Sequence, residues 1–472
     1  MRRLVKPKSA LFSFLALLLV LPTVATAQEE GRVQLWLTTL NRSALFAPQN
    51  VDLRFSAAKN QFPTIAVRDN PQFQSIDGFG FALTGGSAEL LMHMTPSARS
   101  ALLKELFSTE GNGIGVSYLR ISIGSSDMND HAFSYDDMPP GQTDLNLTHF
   151  SLGPDQTTVV PILKEILAID PSIRILGSPW SPPPWMKTND SSKGGSLKPE
   201  YYGVYAQYFV KYIQEMKAAG ITLDTITVQN EPLNPKNNPS LAMFANEEDT
   251  FIKDDLGPAF EKAGITTKIL AYDHNPDVTS YPLSILQDPA AGKYVDGTAF
   301  HLYGGEISAL TSVHDAFPAK NLYLTEQSVT ERPCSGGINI AEPVSSVLIG
   351  ATRNWAKNVI LWNLAADSDD GPHTIGGCSM CRGALTLDGD HVTRLVAYYA
   401  AAHFSKFVRP GSVRLASNDL EQLANVAFRT PDGKIVLVAS NTGNFPKTFD
   451  IEFQGKVVTT TLTPGAVGTY IW

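Results

Sequence analysis

The sequence predicts an α/β fold, a (β/α)8 barrel carrying a small antiparallel β-sandwich built from both chain ends. Three observations lead there. From residue 76 onward, eight short runs rich in β-branched and aromatic residues alternate with helix-length amphipathic stretches. That alternation stops after His403, where short strands separated by Asn, Gly and Pro take over. Outside the first 27 residues no run of about 18 apolar residues occurs, so no further segment reads as a membrane span.

Taken in chain order, the first 27 residues read as a cleavable export signal. Arg2, Arg3, Lys6 and Lys8 precede an apolar stretch over 11–21, and Ala25-Thr26-Ala27 supplies the small-x-small cleavage pattern. A secreted or periplasmic protein is therefore expected. Residues 28–75 contain strand-like segments at 33–37 and 65–67, expected to join the terminal sheet because chain ends often lie close together. The barrel strands are expected at 76–83, 116–123, 173–179, 225–230, 267–272, 295–303, 321–325 and 358–364. Helices fall between them, such as 96–107, 157–169, 201–219, 247–262 and 341–356. An open doubly wound sheet would want Gly-x-Gly-x-x-Gly after its first strand. Gly111-Asn112-Gly113-Ile114-Gly115 has the wrong spacing and precedes a strand instead. The barrel is expected over 76–402 and the β-sandwich domain over 403–472, with strands at 435–440, 448–453 and 457–462.

Composition narrows the partners. The chain has 37 Lys+Arg against 46 Asp+Glu, a formal charge of −9. Cleavage of the leader would remove four basic and no acidic residues, making the protein more acidic still. With no basic run, nucleic acid and anionic membranes are not expected partners. Of three cysteines, Cys334, Cys378 and Cys381, one must stay unpaired within the chain. Cys378-Ser379-Met380-Cys381 lacks a second Cys or His pair at metal spacing and lies in a Gly-rich loop. It reads as a loop clasp or as free thiols. Asp367-Ser368-Asp369-Asp370-Gly371 echoes a calcium loop without its downstream bidentate Glu. No metal or cofactor is expected.

Two segments, Thr227-Val228-Gln229-Asn230-Glu231-Pro232 and Leu322-Tyr323-Leu324-Thr325-Glu326-Gln327, end apolar strand-like runs on a glutamate. They close the fourth and seventh barrel runs, so both acids face the rim where barrel active sites form. Either acid alone is adequately explained as a salt-bridged strand end. Other strand ends, however, bring matching chemistry: Arg120 leading to Asp127, then Trp180, Asn230, His301 with Tyr303, and Trp362. Aromatic faces stack on sugar rings, and the polar side chains bond sugar hydroxyls. Two carboxylates on one rim can act as the acid and nucleophile of a glycosidase. Glu331, in the loop beyond Glu326, is a second candidate nucleophile. A serine esterase would need a Gly-x-Ser-x-Gly elbow, which is missing. A catalytically inactive carbohydrate-binding barrel would be expected to have lost one of the acids, and both are present.

The motifs Gly78-Phe79-Gly80-Phe81-Ala82-Leu83-Thr84, Ser178-Pro179-Trp180-Ser181-Pro182-Pro183, Gln229-Asn230-Glu231-Pro232 and His403-Phe404-Ser405-Lys406-Phe407 occur in this order. With them the chain resembles glycoside hydrolase family 30, most closely its glucosylceramidase (acid β-glucosidase) branch, from about Asp77 to the C-terminus. The resemblance implies a retaining β-glucosyl hydrolase acting on a glucosylceramide-like glycolipid or on β-1,6-glucan. It also implies Glu231 as general acid/base and Glu326 as nucleophile. Asn230 would hold the sugar 2-hydroxyl, and Asp127, Trp180 and Trp362 the rest of the glycone. Arg120 and Tyr303 would keep Glu326 ionised, and the charge of Glu326 would raise the pKa of Glu231. The chain departs from the mammalian pattern at Leu302, where a tryptophan is usual, and in the loop 376–383.

Overall fold

A computed structural model describes residues 1, 3–5, 31–58, 60–330 and 337–472. Most of the expected export signal, along with Glu331 and Cys334, lies outside them. Eight parallel strands close into a barrel: Gly78–Ala82, Tyr118–Ser122, Arg174–Ser178, Thr225–Thr227, Lys268–His274, Val295–His301, Asn321–Glu326 and Ala356–Leu361. The eighth pairs back onto the first, Asn358 opposite Gly78 and Leu361 opposite Phe81. All eight expected runs are present. The fourth is shorter than its pattern, and the fifth runs two residues past the expected end, to His274.

Local chemistry explains where several elements start and stop. Thr84 caps the helix Gly85–His93, accepting a hydrogen bond from Ser87 N at its hydroxyl. Pro96 opens the helix Pro96–Phe107, where its missing N–H costs nothing. Leu385–Asp388 and His391–Arg394 form a hairpin over Gly389 (φ 54°) and, with Ala365–Ala366, a three-stranded sheet beside the eighth strand. The sequence reading missed this sheet, although Gly389-Asp390 between two strand-like runs is a hairpin signal.

Strand side chains alternate in direction, so every second residue of a barrel strand points inward. One inward layer is apolar, made by Tyr118, Leu176, Leu270, Ala299, Tyr323 and Ile360. Two residues further along their strands stand Arg120, Ser178, His301, Thr325 and Trp362. The packed layer below is thus a floor, and the polar layer opens to the C-terminal rim.

The second domain is a ten-stranded sheet folded over its own core of Val33, Leu35, Ile65, Val67, Leu415, Leu437, Phe449, Ile451 and Tyr470. Both ends of the chain contribute. Arg32–Thr38 pairs antiparallel with Val467–Ile471, and Thr64–Ser75 pairs with Val413–Ser417 and Lys447–Phe453. His403, buried on the helix Val396–Ser405, ties this sheet to the barrel. Its ring bridges Thr38 Oγ1 and Thr469 Oγ1, each at 2.8 Å.

Candidate active site

The polar layer is organised by Asp273, at the end of the fifth strand. It is fully buried and accepts from Arg120 Nη2 (2.8 Å), Ser178 Oγ (2.8 Å), Thr227 Oγ1 (2.8 Å), Thr325 Oγ1 (2.6 Å) and His301 Nε2 (3.1 Å). Burial opposes its charge, but Arg120 and His301 outweigh that and hold it ionised far below the usual carboxylate range. Arg120, equally buried, also donates to Glu326 Oε2 at 2.5 Å and Asn230 Oδ1 at 2.7 Å. Its guanidinium lies 4.7 Å from the centre of the Trp180 ring and 6.0 Å from that of Trp362.

The two glutamates lie on either side of His301. Glu231 follows the fourth strand in the left-handed region (φ 45°), a conformation that normally strains a residue with a β-carbon. Its N–H donates to Asp273 O at 3.0 Å, which fixes the turn. Glu231 Oε1 is 3.2 Å from His301 Nδ1, and Glu231 Oε2 accepts from Asn234 Nδ2 at 2.8 Å. Glu326 Oε1 accepts from Tyr303 Oη at 3.0 Å and is 3.7 Å from the same His301 nitrogen. Glu231 Oε1 and Glu326 Oε1 are therefore at most about 7 Å apart. This bound admits the ~5–5.5 Å spacing of retaining glycosidases.

Charge is distributed unequally among these groups. Burial disfavours the His301 cation, but Glu326 and Asp273 overcome it and lift the ring to about 10. Burial likewise opposes ionisation of Glu231, yet the His301 and Asn234 contacts bring it down to about 2. The two opposite shifts favour a cationic His301 facing an ionised Glu231 across the 3.2 Å contact. Glu326 is raised, by burial first; His301 and Arg120 pull it down, while Glu231 and Asp273 push it up. Beside the expected influence of Glu326, the nearer His301 has the larger effect on Glu231. Arg120 and Tyr303 contact Glu326 as expected, but burial outweighs them.

Around this centre are Asp127, Trp180 and Trp362. The two indoles tilt against each other at 5.6 Å. Burial, helped by Glu326, lifts Asp127 to about 7. Asp127 Oδ1 and Trp180 Nε1 are buried without a protein partner, an acceptor and a donor left over for something else to satisfy. All nine residues singled out from the sequence thus converge on one pocket. Asp273, His274 and Asn234 were missed. The signal for Asp273 and His274 was available: the fifth run, ended too early at Tyr272, exports an Asp-His pair just as its neighbours export theirs. Left-handed backbone at Tyr272 (φ 79°) and Asp273 (φ 62°) breaks the alternation there. Glu231, His274 and His301 bring possible ligand atoms within 4.8 Å of one another, the one such group among the described residues. Its shortest contact is the His301–Glu231 hydrogen bond. The acidic run 367–371 makes no such cluster; Asp367 Oδ1 instead accepts from the N–H groups of Asp369 and Gly371.

Residues 76–408 match the sequence model of the glycosyl hydrolase family 30 TIM-barrel domain, and residues 411–470 that of the family 30 β-sandwich domain. An endo-1,6-β-D-glucanase of Neurospora crassa is 37% identical over 405 residues, covering 80% of this chain and 82% of the relative. The lysosomal acid glucosylceramidase of Mus musculus is 28% identical, covering 86% and 83%. The solved structure of the endo-β1,6-glucanase BT3312 superposes with a TM-score of 0.86 at 37% identity, covering 94% of this chain and 99% of that one.

Proposed function

Since the chain belongs to glycosyl hydrolase family 30, we propose that this glycosidase is a retaining endo-β-1,6-glucanase, exported by its N-terminal leader. The observation that carries the retaining mechanism is the His301 nitrogen within reach of both Glu231 and Glu326, which keeps the two acids close. The substrate follows from similarity. The glucanase relatives are 35–37% identical and the glucosylceramidases 28% or less, which shifts the assignment from the glucosylceramidase-like reading to the glucan. Leu302 in place of the mammalian tryptophan agrees with that shift.

In the proposed cycle Glu326 attacks the anomeric carbon while Glu231 protonates the departing glycosidic oxygen. The proton comes from the His301–Glu231 pair: it passes from His301 Nδ1 to the Glu231 carboxylate and from there to the glycosidic oxygen, and the proton that Glu231 later takes from water returns to His301. Covalent capture of Glu326 removes its negative charge, and Glu231 then deprotonates the incoming water. Asp127 Oδ1 and Trp180 Nε1 would bond glycone hydroxyls, each of which can donate and accept. Asn230, oriented by Arg120, would hold the 2-hydroxyl.

Product analysis tests the reading. Incubation with linear β-1,6-glucan should release short gentio-oligosaccharides from chain interiors, and glucosylceramide should be hydrolysed far more slowly. Ceramide release faster than glucan cleavage refutes the substrate assignment. Glu326→Gln should reduce kcat at least about 1,000-fold, and azide, entering the space left by the carboxylate, should rescue Glu326→Ala on an activated aryl β-glucoside by forming the α-glucosyl azide. Activity of Glu326→Gln within a few-fold of wild type refutes the mechanism.

A further inference from the structure

We propose that the Cys378–Cys381 disulfide is a positioning clasp for the sugar pocket, holding the loop that supports Asp127, Trp180 and Trp362 in its binding shape. The proposal rests on the β-glucoside reading above. The disulfide closes a four-residue span within residues 367–384, an excursion that leaves the barrel rim between Ala365–Ala366 and Leu385–Asp388.

Three attachments connect this excursion to the pocket. Thr374 N donates to Asp127 O at 2.9 Å, and Gly377 packs so closely that a β-carbon there would lie 2.8 Å from that same carbonyl oxygen. Thr374 Oγ1 donates to Asn238 O, while Asn238 Nδ2 donates to Ile375 O at 2.9 Å. These bonds place the excursion between the Asp127 loop and the loop that follows Glu231. Finally, both half-cystines pack against the cluster of Ala82, Met128, Trp180 and Trp362, so the bridge supports the two indoles.

On its outer side the excursion has little to hold it. Ile375 and Met380 are 94% and 77% exposed, so its own large apolar side chains face solvent and form no core. Its shape depends on the short bridge, on the Arg382–Asp370 ion pair at 3.2 Å and on hydrogen bonds, among them those of Asp367 and Asn238. A four-residue ring constrains the unfolded chain less than a long one, so the bridge contributes modestly to global stability. What it fixes is local: the position of Asp127 and the support of the tryptophans. Loosening it therefore weakens glycone binding, while the Glu326–Arg120–Asp273 layer keeps its own hydrogen bonds.

The experiment compares three preparations of the full-length mature protein: oxidised, phosphine-reduced, and the Cys378→Ser/Cys381→Ser double variant. Each is assayed for hydrolysis of an aryl β-glucoside, for calorimetric binding of a piperidine iminosugar as glucose mimic, and for Tm. Reduction should raise KM and the iminosugar Kd about tenfold, with kcat changed less than about threefold and Tm by only a few degrees. Reoxidation should restore the wild-type values. The double variant should match the reduced protein and be insensitive to phosphine. Unchanged KM and Kd in both reduced and double-variant proteins overturn the clasp, as does a fall in kcat and Tm as large as the rise in KM. An oxidised protein that cleaves neither the aryl glucoside nor linear β-1,6-glucan and does not bind the iminosugar refutes the β-glucoside reading itself, and the clasp with it.

Discussion

Arg120 donates to Glu326, Asn230, Ser178 and Asp273 while fully buried, which makes its planar fork irreplaceable by a lysine point charge. Arg120→Lys should lower kcat/KM at least about 100-fold, as initial rates would show. Asp273→Ala would strand that guanidinium and the His301 ring without their shared anion. Breaking a buried pair from one side costs about 3–5 kcal/mol, so its denaturant midpoint should drop sharply. His301 and Glu231 act on one proton, and their variants should share one signature. Glu231→Gln and His301→Gln should each slow hydrolysis of an alkyl β-glucoside far more than of a dinitrophenyl β-glucoside, whose leaving group departs without protonation. Equal losses on both substrates would remove His301 from proton delivery. The nine pocket residues were legible in the sequence because each stands at or near a strand end. The pairing of Glu231 with His301 was not, since 70 residues separate them and only barrel closure brings them together.

At the level of elements, the strand ends and the loops they feed shape the pocket. The eight strands were readable because inward packing demands β-branched and aromatic residues at a regular period. Their ends were less readable. Thr225–Thr227 stops short and Lys268–His274 runs long, and left-handed backbone at Glu231, Tyr272 and Asp273 interrupts the side-chain alternation at the rim. Gly377 gives this scale its own test. Gly377→Ala would push a methyl to 2.5 Å from Thr374 Oγ1 and 2.8 Å from Asp127 O, and backbone cannot move aside cheaply. Its KM for aryl β-glucosides should rise several-fold with Tm nearly unchanged. A wild-type KM would show that this loop does not hold Asp127.

Across the whole molecule, buried ionisable groups set how stability varies with pH. Asp155 and Glu248 are each lifted to about 7 by burial. Both bind a proton more tightly folded than unfolded, so their contribution is present at acid pH and lost as pH rises through 7. His301, raised to about 10, adds to the alkaline loss once the unfolded ring deprotonates above 6.5. His403 acts in the opposite sense: burial holds it neutral, near 3, so its contribution is lost as pH falls below 6.5. Below about 4.5 Asp273 and Glu231 take up protons more readily unfolded than folded, so their contribution is also lost as pH falls. Thermal unfolding should therefore show the highest Tm at mildly acidic pH and a decline toward about pH 9, flattened in Asp155→Asn. A Tm that rises steadily up to pH 9 would contradict this balance. Hydrophobic periodicity, a local property of the chain, determined by itself that this protein is a barrel with an appended sheet and that its acids end the fourth and seventh strands. Tertiary structure alone decided that one His301 nitrogen faces both Glu231 and Glu326, that Asp273 anchors the polar layer, and that Cys378 and Cys381 pack against the Trp180–Trp362 cluster. These depend on distances of a few ångströms between residues far apart in sequence, where burial and Coulombic contact, rather than residue type, set the charge state.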